Sequence, residues 1–257
     1  MQMIDTHTHL YVEAFDEDRT EVIQSAIDSG VSKFYLPAID SHYTKRMLDL
    51  ASAYPEHIRL MSGLHPTHVK ENAEEELAHV KEMLDKYPFC AVGEIGIDLY
   101  WEKRFLKAQQ NAFDLQIQWA KAHHLPIVIH CRDAFDEVFE VLETHKGEDL
   151  FGIFHCFSGD FKAAQRAIDF NLKLGIGGIV TFKNGKIDQF LNQLPLSSLV
   201  LETDAPYLAP TPYRGKRNES AYLPIIAQRL AELFALPLGE IVAQTTKNAE
   251  MVFQSNV

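Results

Sequence analysis

Eight short apolar runs alternate with longer amphipathic segments along the whole chain of 257 residues. In segments such as 104–123, 133–144 and 221–234, apolar residues recur every three or four positions, which is the spacing of one helix face. The apolar runs themselves lie at 3–5, 33–37, 58–63, 91–97, 126–129, 151–154, 173–179 and 198–201. Strands that alternate with helices form parallel sheets, and eight such units predict a single (β/α)₈ TIM barrel of the α/β class.

The chain offers no internal boundary, since it contains no long run of Gly, Ser or Pro. We therefore expect one domain over residues 1–257, with an extra C-terminal helix after Pro237 that ends near Phe253. An open doubly wound sheet is the alternative fold. It would place a glycine-rich turn after the first strand, where this chain has THTH at 6–9. The cluster GIGG at 175–178 predicts a close backbone approach instead of a phosphate loop.

The net charge decides little about the class of substrate. The cysteines and the lack of membrane or leader patterns lead us to expect a cytoplasmic protein. The net charge of −12 speaks against non-specific adhesion to nucleic acid, yet bound cations can offset it at a site. No apolar run approaches the roughly 20 residues of a membrane span, and the N-terminus lacks the pattern of a secretory leader. The three cysteines form no CxxC pair, which is typical of reduced thiols. We expect no membrane association and infer no obligate protein partner.

Residue types that bind metals fall at or just after the predicted strand ends. In a (β/α)₈ barrel these ends converge on one mouth, so residues distant in sequence become neighbours. Two histidines spaced two apart on an extended segment point to the same face and can bind one ion together. The six candidate ligands are His7, His9, Glu94, His130, His155 and Asp204.

The chemistry of these six side chains favours a catalytic site with two divalent ions. Imidazole and carboxylate ligands without thiolates suit catalytic Zn²⁺, Mn²⁺, Fe²⁺ or Co²⁺. A single histidine after a strand is more often structural, but an acid such as Glu94 inside an apolar strand is costly to bury without a partner. If Glu94 bridges two ions, six ligands suffice. We expect the division to be His7, His9, Glu94 and Asp204 on one ion, and Glu94, His130 and His155 on the other.

Several sequence blocks together resemble the TatD-type metal-dependent deoxyribonucleases of the amidohydrolase-like barrel superfamily. The blocks are IDTHTHL at 4–10, GLHP at 63–66, VGEIGIDLYW at 92–101, IVIHCRDA at 127–134, FHCFSG at 154–159, LETDAPYLAP at 201–210 and RGKRNES at 214–220. The chain is similar to the branch that keeps both histidines of the first block. It departs from the usual last block at Tyr213, where the family has His, and at Ser220, where it has Pro.

The resemblance implies hydrolysis of nucleic-acid phosphodiesters with the ligands assigned above. We expect two divalent ions (Zn, Mg or Mn) to activate a shared water, with Glu94 bridging and Asp204 taking its proton. His65 is expected to contact the substrate phosphate or orient water. Glu202 is expected to take part in catalysis, either by supporting a ligand or by binding substrate, and it ranks below the six ligands. A 3′–5′ exonuclease acting on single-stranded DNA or RNA is the first choice, because a barrel mouth accepts a strand end more readily than mid-duplex DNA.

Basic and aromatic residues near the predicted mouth are candidates for substrate contacts. Barrel enzymes often bind phosphate near the loops after the seventh and eighth strands. Exposed aromatic side chains can stack the bases of a single strand, although packing beneath loops is the competing interpretation. The candidates are His65, Arg132, Lys183, Arg214, Lys216, Arg217, Tyr100 and Trp101. Cys131 and Cys156 each follow a ligand histidine, so strand alternation predicts that both turn away from the site.

Two other classes of function remain open. One is hydrolysis of a small amide, ester or lactone, or deacylation of a D-aminoacyl-tRNA, because the same fold serves many functions. The basic segment 214–217 argues against a small neutral substrate but not against tRNA. The other is a binding protein on a degenerate barrel. Replacement of Glu94 by Ala distinguishes that class, since its function would be unchanged.

Overall fold

The computed structural model describes residues 2–101 and 103–253. Within them strands and α-helices alternate as predicted, except between the seventh and eighth strands, where the chain forms only short 3-10 helices. The strands are β1 (Met3–Asp5), β2 (Val31–Leu36), β3 (Ile58–Leu60), β4 (Val92–Asp98), β5 (Ile127–Arg132), β6 (Gly152–Phe154), β7 (Leu172–Ile176) and β8 (Leu199–Leu201). The α-helices are α1 (Arg19–Asp28), α2 (Thr44–Ala53), α3 (Ala73–Lys86), α4 (Leu106–Ala122), α5 (Phe135–Glu143), α6 (Phe161–Asp169), α7 (Leu223–Phe234) and α8 (Leu238–Phe253). All eight apolar runs overlap a strand.

The strands pair in parallel and in chain order, which is the arrangement of an α/β barrel. They form two ladders, β1-β2-β3 and β4-β5-β6-β7-β8. Single bridges link the ladders at both seams: Ser62 pairs with Val92, and Thr8 pairs with Ala205. The prediction of the barrel class is confirmed, with the two seams made by isolated bridges instead of continuous ladders.

The C-terminal helix predicted after Pro237 is α8, which packs against strands β1 and β8. Its Phe253 ring stacks on Tyr35 of β2, with ring centroids 3.8 Å apart. Val252 and Phe253 belong to a buried cluster that also contains Ile4 and Val200 from the strands. None of the helices in the described part of the chain is both long and apolar enough to cross a membrane.

The glycines of the seventh run lie where other parts of the chain approach closely, as expected. A Cβ atom on Gly175 would lie 2.2 Å from Oε2 of Glu202, and one on Gly178 would lie 2.0 Å from the carbonyl oxygen of Leu208. The strand β7 is shorter than the predicted run, because the chain turns into a 3-10 helix at Gly178–Thr181. These glycines let the segment after β8 pack closely against the end of β7.

Candidate metal centre

The six candidate ligands meet at the carboxyl ends of the strands. They come from four strands or the segments that follow them directly, and from the loop after β1. Their ionisable side chains form overlapping groups whose ligand atoms lie within 4.8 Å of one another. The groups are His7, His9 and Glu94; His7, His155 and Asp204; and His65, Glu94 and His130.

One oxygen of Glu94 faces the two histidines after β1. Oε2 of Glu94 lies 3.1 Å from Nε2 of His7 and 3.8 Å from Nε2 of His9. Oδ1 of Asp204 lies 3.8 Å and 3.5 Å from the same two nitrogens. Both carboxylates therefore lie near the same two imidazole nitrogens, and the assignment of all four residues to one ion stays a prediction.

The other oxygen of Glu94 faces a second set of histidines. Oε1 lies 2.8 Å from Nδ1 of His130, 3.5 Å from Nε2 of His65 and 3.7 Å from Nε2 of His155. His65, expected to contact substrate, therefore lies beside the candidate ligands. Nε2 of His155 is also 3.7 Å from Oδ1 of Asp204, so this imidazole borders both sets. The division of ligands between two ions stays a prediction.

Buried polar atoms at this centre fit a bound cation. His7 is 1% exposed, and its Nδ1 has no hydrogen-bond partner among the described residues. Its Nε2 faces Oε2 of Glu94 at 3.1 Å, but not in hydrogen-bond geometry. Its ring stacks on His155 with centroids 3.4 Å apart. Buried nitrogens without a partner are costly, and a metal ion would use the lone pair that faces Glu94. The donor set of imidazoles and carboxylates suits a divalent transition metal or Mg²⁺.

The pKa values of Glu94 and His7 are both shifted toward the forms that bind metals. Burial alone would raise the pKa of Glu94, but His7, His65 and His155, with a hydrogen bond from His130, hold it well below its usual value. Burial lowers the pKa of His7, and the neighbouring His155 lowers it further. Neutral His7 and ionised Glu94 are the forms that bind metals.

Neighbouring carboxylates raise the pKa of two other histidines, His130 and His155. Burial opposes a charge on His130 and His155, but Asp98 and Glu94 raise the pKa of His130 to about 9. Glu202, Glu94 and Asp204 raise the pKa of His155 to about 10. A divalent ion would compete with these protons for the same carboxylates.

Two candidate ligands, His9 and His130, are hydrogen-bonded to a polar partner on the side of the ring away from the centre. Nδ1 of His9 lies 3.0 Å from the hydroxyl of Tyr11, which donates to the carbonyl of Pro37. This hydroxyl accepts from His9, so Nε2 of His9 keeps its lone pair toward the centre. Nε2 of His130 lies 2.9 Å from Oδ2 of Asp98. Such partners fix the tautomer and the ring orientation of metal-binding histidines.

Glu202 lies beside another candidate ligand, His155. Its Oε1 lies 2.9 Å from Nδ1 of His155 and accepts a hydrogen bond of 2.6 Å from the backbone of Cys156. Glu202 is fully buried. The structure therefore brings Glu202 to the metal centre as a neighbour of a ligand, and it does not line the cavity described below.

Sequence reasoning missed Asp98, Tyr11 and Asp5. Asp98 ends β4 and is four residues after Glu94, so period-two alternation could have placed both on one face. Asp5 is buried and accepts from the backbone and the hydroxyl of Thr203, which ties β1 to the segment before Asp204. Burial raises the pKa of Asp5 to about 7.

A cavity of about 690 Å³ opens over the candidate ligands. Arg132 and Trp101 are among the residues that line it. The guanidinium of Arg132 lies 3.9 Å from the ring centroid of Tyr100 and 5.7 Å from that of Trp101. Tyr100 and Trp101 are 54% and 68% exposed. We call Tyr100, Trp101 and Arg132 the aromatic shelf, and all three were candidate substrate contacts.

The four other basic candidates do not line this cavity. Arg217 forms a two-point ion pair with Asp18, at 2.8 and 2.6 Å, and also contacts Glu219. Arg214 lies over the ring of Phe182, and Lys183 and Lys216 are exposed. Their contact with substrate stays a prediction, and the pairing gives Arg217 a structural role that the sequence did not indicate.

The expectation that both cysteines turn away from the site is wrong for Cys156. Its φ of 43° breaks the alternation of an extended strand. Its thiol consequently lies with His155 and Glu202 in a cluster of potential ligand atoms. Cys131 packs against the hydrophobic core, but it also lines the cavity, so the expectation holds for it only in part.

Comparisons with known proteins agree over nearly the whole chain. A family model described as TatD related DNase matches residues 4–254. An uncharacterized metal-dependent hydrolase, YabD of Bacillus subtilis, is 37% identical over 99% of this chain and 100% of its own. The 3′-5′ ssDNA/RNA exonuclease TatD of Erwinia tasmaniensis is 30% identical over 98% of this chain and 99% of its own.

Solved structures give the same result. The crystal structure of YjjV, a TatD homologue of Escherichia coli, superposes with a TM-score of 0.92 at 32% identity, and covers 98% of both chains. A TatD family hydrolase from Entamoeba histolytica shares the fold, with a TM-score of 0.84 at 20% identity over 98% of both chains. The chain therefore belongs to the TatD family of metal-dependent hydrolases.

Proposed function

We propose that this protein is a 3′–5′ exonuclease that hydrolyses phosphodiester bonds of single-stranded DNA or RNA at a centre of two divalent ions. The observation that carries the proposal is Glu94, whose two carboxylate oxygens face different sets of histidines. Oε2 faces His7 and His9, and Oε1 faces His130. A buried carboxylate with this arrangement is the geometry expected of a bridging ligand between two ions.

Two ions at such a centre would acidify a water molecule and neutralise charge on the phosphoryl oxygens. Asp204 supplies the proton acceptor. Burial opposes its charge, but His155, His9 and His7 lower its pKa, so the carboxylate is ionised at neutral pH. Its side chain lines the cavity, where the phosphate of a substrate would bind.

The aromatic shelf supports a nucleic-acid substrate. Arg132 offers a cation beside the cavity to a phosphate, and the exposed ring of Trp101 offers a face to a base. These two features suit a polymer with alternating negative charge and flat rings. They have no use in the hydrolysis of a small neutral lactone or amide. The Erwinia relative, named as an ssDNA/RNA exonuclease, agrees with this choice.

The test uses a 5′-labelled single-stranded oligonucleotide, a circular strand of the same sequence, and protein loaded with Mg²⁺, Mn²⁺ or Zn²⁺. We expect a ladder that shortens from the 3′ end, and we expect the circle to resist. Chelation and the variant Glu94→Ala should both abolish the ladder. Rapid internal cleavage of the circle would refute the exonuclease mode. Failure of all three metals to support cleavage would favour the small-substrate or D-aminoacyl-tRNA alternative.

A further inference from the structure

Asp98 contacts the metal centre with one carboxylate oxygen and the aromatic shelf with the other. Oδ2 lies 2.9 Å from Nε2 of His130. Oδ1 accepts hydrogen bonds from the backbone nitrogens of Tyr100, at 2.9 Å, and Trp101, at 3.0 Å. The side chain is buried, so these contacts are not shared with solvent.

The backbone of Asp98 is held as firmly as its side chain. Gln109 of α4 accepts from the Asp98 amide at 2.8 Å and donates to the Asp98 carbonyl at 3.2 Å. Gln109 is itself buried, at 1% exposure. The position of the carboxylate is therefore set by the end of β4 and by α4, independently of the two groups that it contacts.

We propose that Asp98 is a positioning residue that sets both the imidazole of His130 and the turn that carries Tyr100 and Trp101, the two rings of the aromatic shelf. This role rests on the proposed metal centre and, for the shelf, on the proposed nucleic-acid substrate. A carboxylate accepts the proton on Nε2 and leaves the lone pair of Nδ1 directed at Glu94, where a metal would bind. The same carboxylate fixes the two backbone amides that begin the exposed turn.

Replacement of Asp98 by Asn separates the two contacts. The amide oxygen of Asn still accepts from the Tyr100 and Trp101 nitrogens. Its NH₂ group cannot accept from Nε2 of His130, and it favours the tautomer that protonates Nδ1. Replacement by Ala removes both contacts. The exposed Asp136, in the first turn of α5, gives a matched control, since Asp136→Asn also removes one negative charge.

Two measurements test the contact of Asp98 with His130 and its contact with the turn, and neither needs a nuclease assay. Competition with a chromogenic chelator gives the affinity for Zn²⁺, and loss of such a carboxylate partner typically weakens metal binding about 10- to 100-fold. Acrylamide quenching reports the order of the shelf when Trp101 is the only tryptophan. The chain has two tryptophans, so the background variant is Trp119→Phe.

We expect Asp98→Asn to lower Zn²⁺ affinity about 10- to 100-fold and to leave the acrylamide quenching of Trp101 unchanged. Asp98→Ala should lower the affinity equally and increase the quenching, while Trp101→Ala should leave Zn²⁺ affinity as in wild type. Unchanged Zn²⁺ affinity in Asp98→Asn would overturn the proposal, as would equal quenching in Asp98→Asn and Asp98→Ala. Because neither readout requires DNA, loss of the nuclease proposal would leave the result on His130 intact.

Discussion

Replacement of Gly175 by Ala should disturb the metal centre although Gly175 contacts no ligand. The added Cβ would lie 2.2 Å from Oε2 and 2.6 Å from Cδ of Glu202, far inside an ordinary contact of 3.4–4 Å. Glu202 is fully buried and cannot swing into solvent. Its carboxylate must therefore move by more than about 1 Å to restore van der Waals separation.

The expected cost follows from the contacts that Glu202 would lose. The hydrogen bond from the Cys156 amide would be broken, which costs about 1–3 kcal/mol for a buried donor left unpaired. Overpacking adds a further penalty of about 1–3 kcal/mol. We predict a loss of about 2–6 kcal/mol in the free energy of unfolding of the metal-free protein. Metal affinity should fall about 10- to 100-fold, since His155 loses its carboxylate partner.

Urea denaturation and chelator competition measure the two effects, and Gly177→Ala is the matched control. A Cβ on Gly177 would have no neighbour nearer than 3.7 Å, so this variant should behave as wild type. In a Glu202→Ala background, Gly175→Ala should cost less than about 1 kcal/mol, because the clashing carboxylate is gone. An equal cost in both backgrounds would refute the reasoning.

Three other predictions concern Arg132 at the cavity, Tyr11 behind His9, and Arg217, which pairs with Asp18. Arg132→Gln should raise the Kd for a single strand and reduce the slope of log affinity against log salt by about 0.7, as expected for one lost phosphate contact; an unchanged slope would exclude that contact. Tyr11→Phe should lower Mn²⁺ affinity about tenfold in a calorimetric titration, because His9 loses the acceptor that orients it. Arg217→Gln should lower Tm without changing the KM for oligonucleotides, and a large rise in KM would instead assign Arg217 to substrate binding. Hydrogen bonds from Arg217 lower the pKa of Asp18, so this stabilisation is present above the unfolded-state pKa of Asp18. The difference in Tm between wild type and variant should consequently shrink as the pH falls through the lowered pKa of Asp18 in the folded protein.

The order of the strands and the meeting of the six ligands could be predicted because each depends on a local pattern. Apolar runs mark buried strands, and the barrel brings the ends of those strands together whatever the loops contain. The placement of Glu94 follows from the cost of burying an acid in an apolar strand. These rules need no knowledge of distant contacts.

The missed features depend on loop geometry and on pairs that are distant in sequence. The ion pair of Arg217 with Asp18 joins residues 199 positions apart, which no local pattern indicates. The positive φ of Cys156 turns its thiol toward the site against strand alternation. The dual contacts of Asp98 require the turn at Tyr100 and Trp101, whose shape the residue types alone do not define.

The central claim, that Glu94 bridges two ions, is tested most directly by Mn²⁺ binding to the metal-free protein. Calorimetric titration gives the number of ions bound, and electron paramagnetic resonance reports whether two bound ions are coupled. We predict two ions per chain with a coupled signal in wild type, and loss of the coupled signal in Glu94→Ala. Binding of a single ion in wild type, or an unchanged coupled signal in Glu94→Ala, would contradict the claim.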